Sequence, residues 1–314
     1  MTPVSAAAFV IEPMSPTDEV ADWATRPVTD ISDRGANALT VDVEDYFQVE
    51  AFSEIFARGD WDRQECRVEK NVDRILEMFA NARVHGTFFT LAWVAERYPH
   101  MVRRIVASGH EIASHGLMHH RADQQSQDVF LNDVIRAKYV LEDAAGVSVK
   151  GYRAASFSIT RRNPWALGAL DRAGYRYSSS LYPIRHDLYG IPDAPRFAFY
   201  PLPHSNFVEI PVTAVRRFGM NWPCGGGGYF RLLPYGLSAH NMRFVGKHDK
   251  QPCMFYFHPW EIDPGQPRIV GASRKARFRH YTNIGKMQGR LERLLREFRW
   301  KRVDQIYPVS DRET

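Results

Sequence analysis

Gly109-His110-Glu111-Ile112-Ala113-Ser114-His115-Gly116-Leu117-Met118-His119-His120 is the stretch on which the reading of this chain turns. Gly109 stops a preceding helical pattern, Glu111 to Ser114 reads as a strand, and His115 stands at that strand's end. His119 follows four positions later. That interval puts two imidazoles on one side of a helical turn or a compact loop, within reach of one ion. Alone, such a pair is more often a surface or capping pair, so the surrounding pattern must carry the argument.

Working outward, strand and helix alternate. Ala38 to Val43 reads as a buried strand ending in acid, Glu69 to Phe79 has helical apolar spacing, and Gly86 to Thr90 is the next strand. A helix over Leu91 to Arg97, a break at Pro99 and a helix over His100 to Ala107 lead to the opening stretch. Beyond it come an amphipathic helix from Val129 to Ala145, a strand end at Val149 to Arg153, a helix from Pro164 to Ala173 and a strand end at Tyr175 to Ser180. Phe207 to Val212 and Met254 to His258 are two late strands. This is the order of a parallel β/α protein. Asp42, His115, Arg153 and His258 all fall at strand ends, where such folds gather their chemistry on one face.

The upstream cluster Thr40-Val41-Asp42-Val43-Glu44-Asp45 supplies acid. Catalytic zinc centres commonly take two histidines and a carboxylate and leave a position open for water. On an extended strand Asp42 and Glu44 point the same way and Asp45 opposes them, unless the chain turns there. The expectation is that the two stretches meet and hold a metal.

The 314 residues, 44% of them hydrophobic, suffice for one large domain. A net charge of +5, dispersed until the C-terminal part, demands no nucleic acid. Cys66, Cys224 and Cys253 are odd in number and far apart, which argues against a disulfide framework. No apolar run reaches the roughly 20 residues of a bilayer span. Ala6 to Ile11 lacks the preceding basic residues of a secretory signal. The expected location is therefore cytoplasmic, with peripheral contact at the inner membrane surface as a further option.

Residues 1–37 read as a flexible tail. Residues 194–251 break the rhythm and read as a loop-rich insertion. Its glycine run, Gly225 to Gly228, lacks the Lys and Ser/Thr of a P-loop, which argues against a nucleotide site. Trp222, Tyr229 and Trp260 are the aromatic candidates for stacking against sugar rings. Residues 266–314 read as a basic helical extension, with a helix over Lys286 to Trp300 whose basic face is solvated or meets an anionic polymer or lipid.

Together the acidic strand end, His85-Gly86-Thr87-Phe88-Phe89, the Ser114-to-His119 motif, Gly151-Tyr152-Arg153 and His258-Pro259-Trp260-Glu261 resemble the polysaccharide deacetylases of the NodB-homology type. The Asp-Val-Glu-Asp run and the glycine run before Tyr229 look most like the branch found with exosortase-linked exopolysaccharide loci. The resemblance covers roughly Ala38 to Asp263. It implies an α/β fold, a distorted (β/α) barrel of about seven strands over residues 38–265. It also implies one divalent metal, zinc first and cobalt or manganese as alternatives, and hydrolysis of an N-acetylhexosamine acetamide in a polysaccharide or its precursor.

Site roles come from the same resemblance. His115, His119 and Glu44 (or Asp45) would hold the metal, Asp42 would be the general base, and Arg153 would orient Asp42. A main-chain N–H near Ser156 would meet the oxyanion, and His258 would protonate the departing amine. Two departures stand out: Ala154-Ala155 follows Arg153 where the family often has proline, and Tyr177-Ser178-Ser179-Ser180 offers hydroxyls where an aspartate usually partners the acid histidine. Glu261 or Asp187 is the candidate replacement. The competing readings are an allantoinase-like small-amide hydrolase and a binding protein that has lost turnover.

Overall fold

The computed structural model describes residues 26–309. Seven strands run parallel: β1 (Asn37–Val43), β2 (Thr87–Thr90), β3 (Glu111–Ser114), β4 (Gly151–Tyr152), β5 (Tyr177–Ser178), β6 (Val208–Glu209) and β7 (Met254–Phe257). Their spatial order is β7-β1-β2-β3-β4-β5-β6. All but the first residue of these strands is buried, which is why they read as apolar runs rather than alternating ones.

Register gives the fold its working rim. Val43 pairs with Thr90, Thr90 with Ser114, Ser114 with Tyr152, and Tyr152 with Ser178. The next residue along each strand is therefore Glu44, Leu91, His115, Arg153 and Ser179, side by side at the strands' C-terminal ends. Phe257 pairs with Val41, which sets His258 level with Asp42.

No regular ladder joins β6 to β7. Instead the N–H of Thr213 donates to the Met254 carbonyl (3.4 Å), and Tyr256 donates to the Gly225 carbonyl (2.8 Å). A Cβ on Gly225 would meet the Met254 carbonyl at 2.3 Å, so the glycine permits this approach. The barrel is thus a distorted seven-strand one, with the segments after β6 rather than β6 itself hydrogen-bonded to β7.

Helices α1 (Val68–Ala82), α2 (Ala92–Arg97), α3 (Pro99–Ala107), α4 (Gln127–Ala145) and α5 (Trp165–Arg172) fill the crossovers. Ser126 caps α4 by accepting from the Val129 N–H, and Gly146 ends it in left-handed conformation. The start of α1 is capped from a distance: Asp45 Oδ2 accepts the N–H groups of Arg67 (2.5 Å) and Val68 (2.8 Å).

Two expectations change. The tail expected over residues 1–37 is not loose throughout: Arg26–Pro27 pairs with Phe199–Tyr200, and Val28 and Ala36 are buried. Residues 1–25 lie outside the described residues. The stretch 194–251 is not simply loops. It carries β6, a hairpin (Ala214–Arg217 with Met220–Pro223), and helices α6 (Gly227–Leu232) and α7 (Tyr235–Phe244).

The C-terminal extension packs on the domain, as the apolar face of its second helix suggested. Helix α8 (Arg274–Tyr281) and helix α9 (Ile284–Glu297) pack on the barrel, α9 through Met287, Leu291, Leu294 and Leu295. Trp300–Lys301 then pairs with Asn37–Ala38 at the foot of β1. Cys66, Cys224 and Cys253 are free thiols. Among the described residues no helix is long and apolar enough to cross a membrane.

Candidate active site

The strand ends open onto a cleft of about 210 Å³ whose lining includes Asp42, Glu44, His115, His119, His258 and Trp260. His115 leaves β3 directly. Residues 116–120 are a compact loop, with Gly116 and His119 both at positive φ (85° and 52°). That loop is held by Leu117 N–H to Asp133 (3.3 Å) and by Arg58, which donates to the carbonyls of Met118 (2.7 Å) and His119 (2.9 Å). A left-handed histidine is disfavoured, and this surrounding network holds it in place.

Glu44, His115 and His119 each offer a ligand atom, and these atoms lie within 4.8 Å of one another. His119 Nε2 is 2.9 Å from Glu44 Oε2. Nδ1 of His115 lies 2.9 Å from the Arg153 carbonyl, which fixes that nitrogen as the donor and leaves Nε2 its lone pair. Trp260 Nε1 donates to Glu44 Oε1 (3.3 Å). Burial works against the Glu44 carboxylate, but His119, His258 and His115 outweigh it and hold Glu44 at about 2. Burial lowers His115 to about 4, so it is neutral, as a ligand must be.

Of the two acidic alternatives, Glu44 faces the histidines and Asp45 does not. Asp45 turns away and is committed to three backbone N–H groups, those of Tyr46, Arg67 and Val68. Burial raises it to about 6 even so.

Asp42 is clamped by Arg153, whose Nη1 lies 2.5 Å from Asp42 Oδ1. The guanidinium is fully buried and held on all three nitrogens: besides Asp42 it donates to Thr40 Oγ1 (2.9 Å), the Ser179 carbonyl (3.0 Å) and Ser179 Oγ (2.9 Å), and it lies over the Phe89 ring. Ser179, in the stretch that offers hydroxyls where an aspartate was expected, serves Arg153. The proline departure has a counterpart too: Ser156 and Phe157 sit at φ 53° and 50°, left-handed residues on the cleft wall.

His258 faces the pair of acids, with Nε2 3.6 Å from Glu44 Oε1 and 4.0 Å from Asp42 Oδ2. Its Nδ1 lies 3.6 Å from Glu261 Oε1, and Arg231 Nη2 stands 3.5 Å from that same oxygen. Burial would lower His258, but Glu261, Glu44 and Asp42 prevail and raise it to about 9, protonated at neutral pH. Asp187 is not the partner. It is an exposed residue bound to Lys275 (2.5 Å) and Arg279 (3.3 Å).

A family model described as polysaccharide deacetylase matches residues 59–178, and one described as a domain of unknown function (DUF3473) matches residues 179–308. Over that first segment, just over a third of the chain, the sequence is similar to the polysaccharide deacetylases. Over 80 residues it is 32% identical to a peptidoglycan-N-acetylglucosamine deacetylase of Bacillus cereus, covering 26% of this chain and 29% of that protein. Over 68 residues it is 37% identical to a chitooligosaccharide deacetylase of Sinorhizobium fredii, covering 20% and 32%. These matches span about a third of the relatives' length. A Mycobacterium smegmatis structure assigned as a polysaccharide deacetylase superposes with a TM-score of 0.57 at 19% identity, over 88% of this chain and 89% of that one. A peptidoglycan N-acetylglucosamine deacetylase solved with an N-hydroxybenzamide gives 0.50 at 14% identity, over 91% and 93%. At these identities the two structures speak to the fold.

The aromatic residues do not fall where the sequence suggested. Trp260 cannot stack on a sugar, because His258 covers one face (5.1 Å, 18°) and His280 the other (4.1 Å, 11°). Trp222 lies on the hairpin and Tyr229 on α6, lining a separate groove rather than the cleft. The cleft's own aromatic wall is Tyr189, stacked on His186 (3.9 Å, 12°), together with Tyr256. Sequence reasoning passed over Arg58, Arg231 and Tyr189, which lie in segments without periodicity. Only the glycine run hinted at close packing behind the site.

Proposed function

We propose that this protein is a metal-dependent N-deacetylase that hydrolyses the acetamide of N-acetylhexosamine units in an exopolysaccharide or its precursor, releasing acetate, in the branch of the family associated with exosortase-linked loci. One observation carries the reading: the Glu44, His115 and His119 donor atoms converge beside an Arg153-clamped Asp42, with His258 facing both. The donors suit a divalent ion, since the buried Glu44 Oε2 faces only another donor atom of the set, His119 Nε2 at 2.9 Å, and His115 keeps Nε2 free. Two imidazoles and a carboxylate favour zinc, with cobalt or manganese as substitutes.

When bound, the ion supplies Lewis acidity at the acetamide carbonyl and brings the pKa of the attacking water to about 7. Asp42 accepts the proton as that water attacks, and Arg153 fixes the carboxylate's direction and balances its charge. The wall at Ser156 presents main-chain N–H to the developing oxyanion. His258, protonated through its acidic neighbours, gives its proton to the amine nitrogen as the C–N bond breaks. Glu261 and Arg231 act one layer back, orienting His258.

Relatives named for peptidoglycan N-acetylglucosamine and for chitooligosaccharides support the amino-sugar class. The test pairs elemental analysis with acetate release from N-acetylated amino-sugar oligomers, before and after chelation and zinc return. Metal-replete protein that releases no acetate from any such substrate overturns the reading.

A further inference from the structure

The hairpin Ala214–Arg217/Met220–Pro223 turns through two residues, Phe218 and Gly219, with Arg217 paired to Met220. Both turn residues hold positive φ, 51° and 75°. A two-residue turn of this type favours Asn-Gly, and a bulky aromatic is among the worst occupants of its first position. Phe218 is nevertheless there, and it is 95% exposed. Neither its backbone nor its burial helps the fold. Met220 (57%), Trp222 (48%) and Leu237 (45%) are exposed beside it.

These side chains rim a groove of about 770 Å³. Arg185, Arg217 and His240 line it, and no carboxylate does. Arg217 is set by stacking on Phe244 (3.4 Å), and Arg185 is exposed. Apolar tips projecting past a girdle of cations, with an indole between, match the layered chemistry of an anionic lipid surface: acyl chains below, phosphates above. A polyol would not call for Phe218 and Met220. The basic run on α8 is a poorer match, because Lys275 and Arg279 are already paired with Asp187.

We propose that this hairpin and groove are a membrane-docking surface that sits on anionic phospholipid, Phe218 and Met220 entering the interface and Arg185 and Arg217 meeting phosphate. Its test does not depend on the catalytic reading, because vesicle binding can fail with turnover intact.

The experiment is co-sedimentation of the full chain with phosphatidylcholine vesicles and with phosphatidylcholine–phosphatidylglycerol vesicles. Wild type is expected to bind the anionic vesicles and leave the neutral ones. Arg185→Ala with Arg217→Ala should weaken partitioning roughly thirty-fold, from about 1 kcal/mol per basic residue. Phe218→Ser with Met220→Ser should abolish it while melting temperature is unchanged. Phe218→Asn, better suited to the turn, should also bind less, and so separates docking from folding. The proposal falls if wild type ignores anionic vesicles or if the variants bind as wild type does. It also falls if only Arg274→Ala with Arg277→Ala loses binding, or if the groove variants lose affinity for N-acetylated oligosaccharide instead of vesicles.

Discussion

Gly227 and Glu261 are in direct contact: a Cβ added at Gly227 would lie 2.0 Å from Glu261 Oε2. The absence of a side chain there lets the carboxylate slide beneath α6 and reach His258 Nδ1. The glycine run thus seats a protein carboxylate rather than a phosphate.

Displacing or neutralising that carboxylate should impair proton delivery to the leaving group. Glu261→Gln and Gly227→Ala are each expected to lower amide turnover by about 10²-fold with KM little changed. Hydrolysis of an aryl acetate, whose nitrophenolate leaves without a proton, should be nearly unaffected. Equal losses on both substrates would make Glu261 merely structural.

The two neighbouring acids should part company on mutation. Asp45→Ala removes the cap of α1 and orphans buried N–H groups, at a cost of about 1–3 kcal/mol, with metal retained. Glu44→Gln should leave the melting temperature within a few degrees of wild type and lose the metal. Calorimetry and elemental analysis on both variants decide it; metal loss in Asp45→Ala alone would reverse the assignment.

His119→Ala is expected to lose metal and activity together. Asp42→Asn should keep the metal and lose about 10²- to 10⁴-fold in turnover. An Asp42→Asn protein with near-normal acetate release would remove Asp42 from the base role.

Arg58 holds the carbonyls on either side of the His119 turn. Arg58→Ala should loosen the ligand loop and weaken metal affinity about 10- to 100-fold, as removal of outer-layer support generally does. Competition with a chromogenic chelator measures this. An unchanged affinity would show that the loop holds itself.

Much of this was readable from one chain. Parallel strands covered on both faces appear as unbroken apolar runs, so the alternation of β1 to β7 with helices stood out, and register then placed Glu44, His115 and Arg153 at one rim. The choice between Glu44 and Asp45 was not readable. It depends on how the chain turns after Val43 and on Arg67 and Val68, some twenty residues on. Trp260 looked like a sugar platform because aromaticity is visible in sequence and the imidazoles of His258 and His280 over its faces are not. Arg58 had no signal at all; a lone arginine in an irregular segment looks like any surface residue.

Stability should carry a pH signature from Glu209. Buried at the end of β6, it accepts the N–H groups of Ser180 (2.9 Å) and Leu181 (2.8 Å), but burial dominates and raises it to about 7. The folded form keeps this proton while the unfolded chain, near 4.5, releases it. Stability is therefore full below about 4.5 and falls as pH rises through 7, by at most about 3 kcal/mol. Glu209→Gln keeps the acceptor and should flatten urea-denaturation midpoints between pH 5 and pH 7.5, roughly the window set by these values. A slope identical to wild type would place the effect elsewhere.

The barrel also has no natural cut. β1 and its end bring Asp42 and Glu44, the proposed base and ligand, before residue 59, and β7 leads to His258 after residue 178, so the segment that matches the deacetylase model holds none of these three. Residues 179–308 contribute β6 and β7 to the same sheet. A chain bearing only the first half would be a sheet with two raw margins and half a cleft, so neither half carries the whole site.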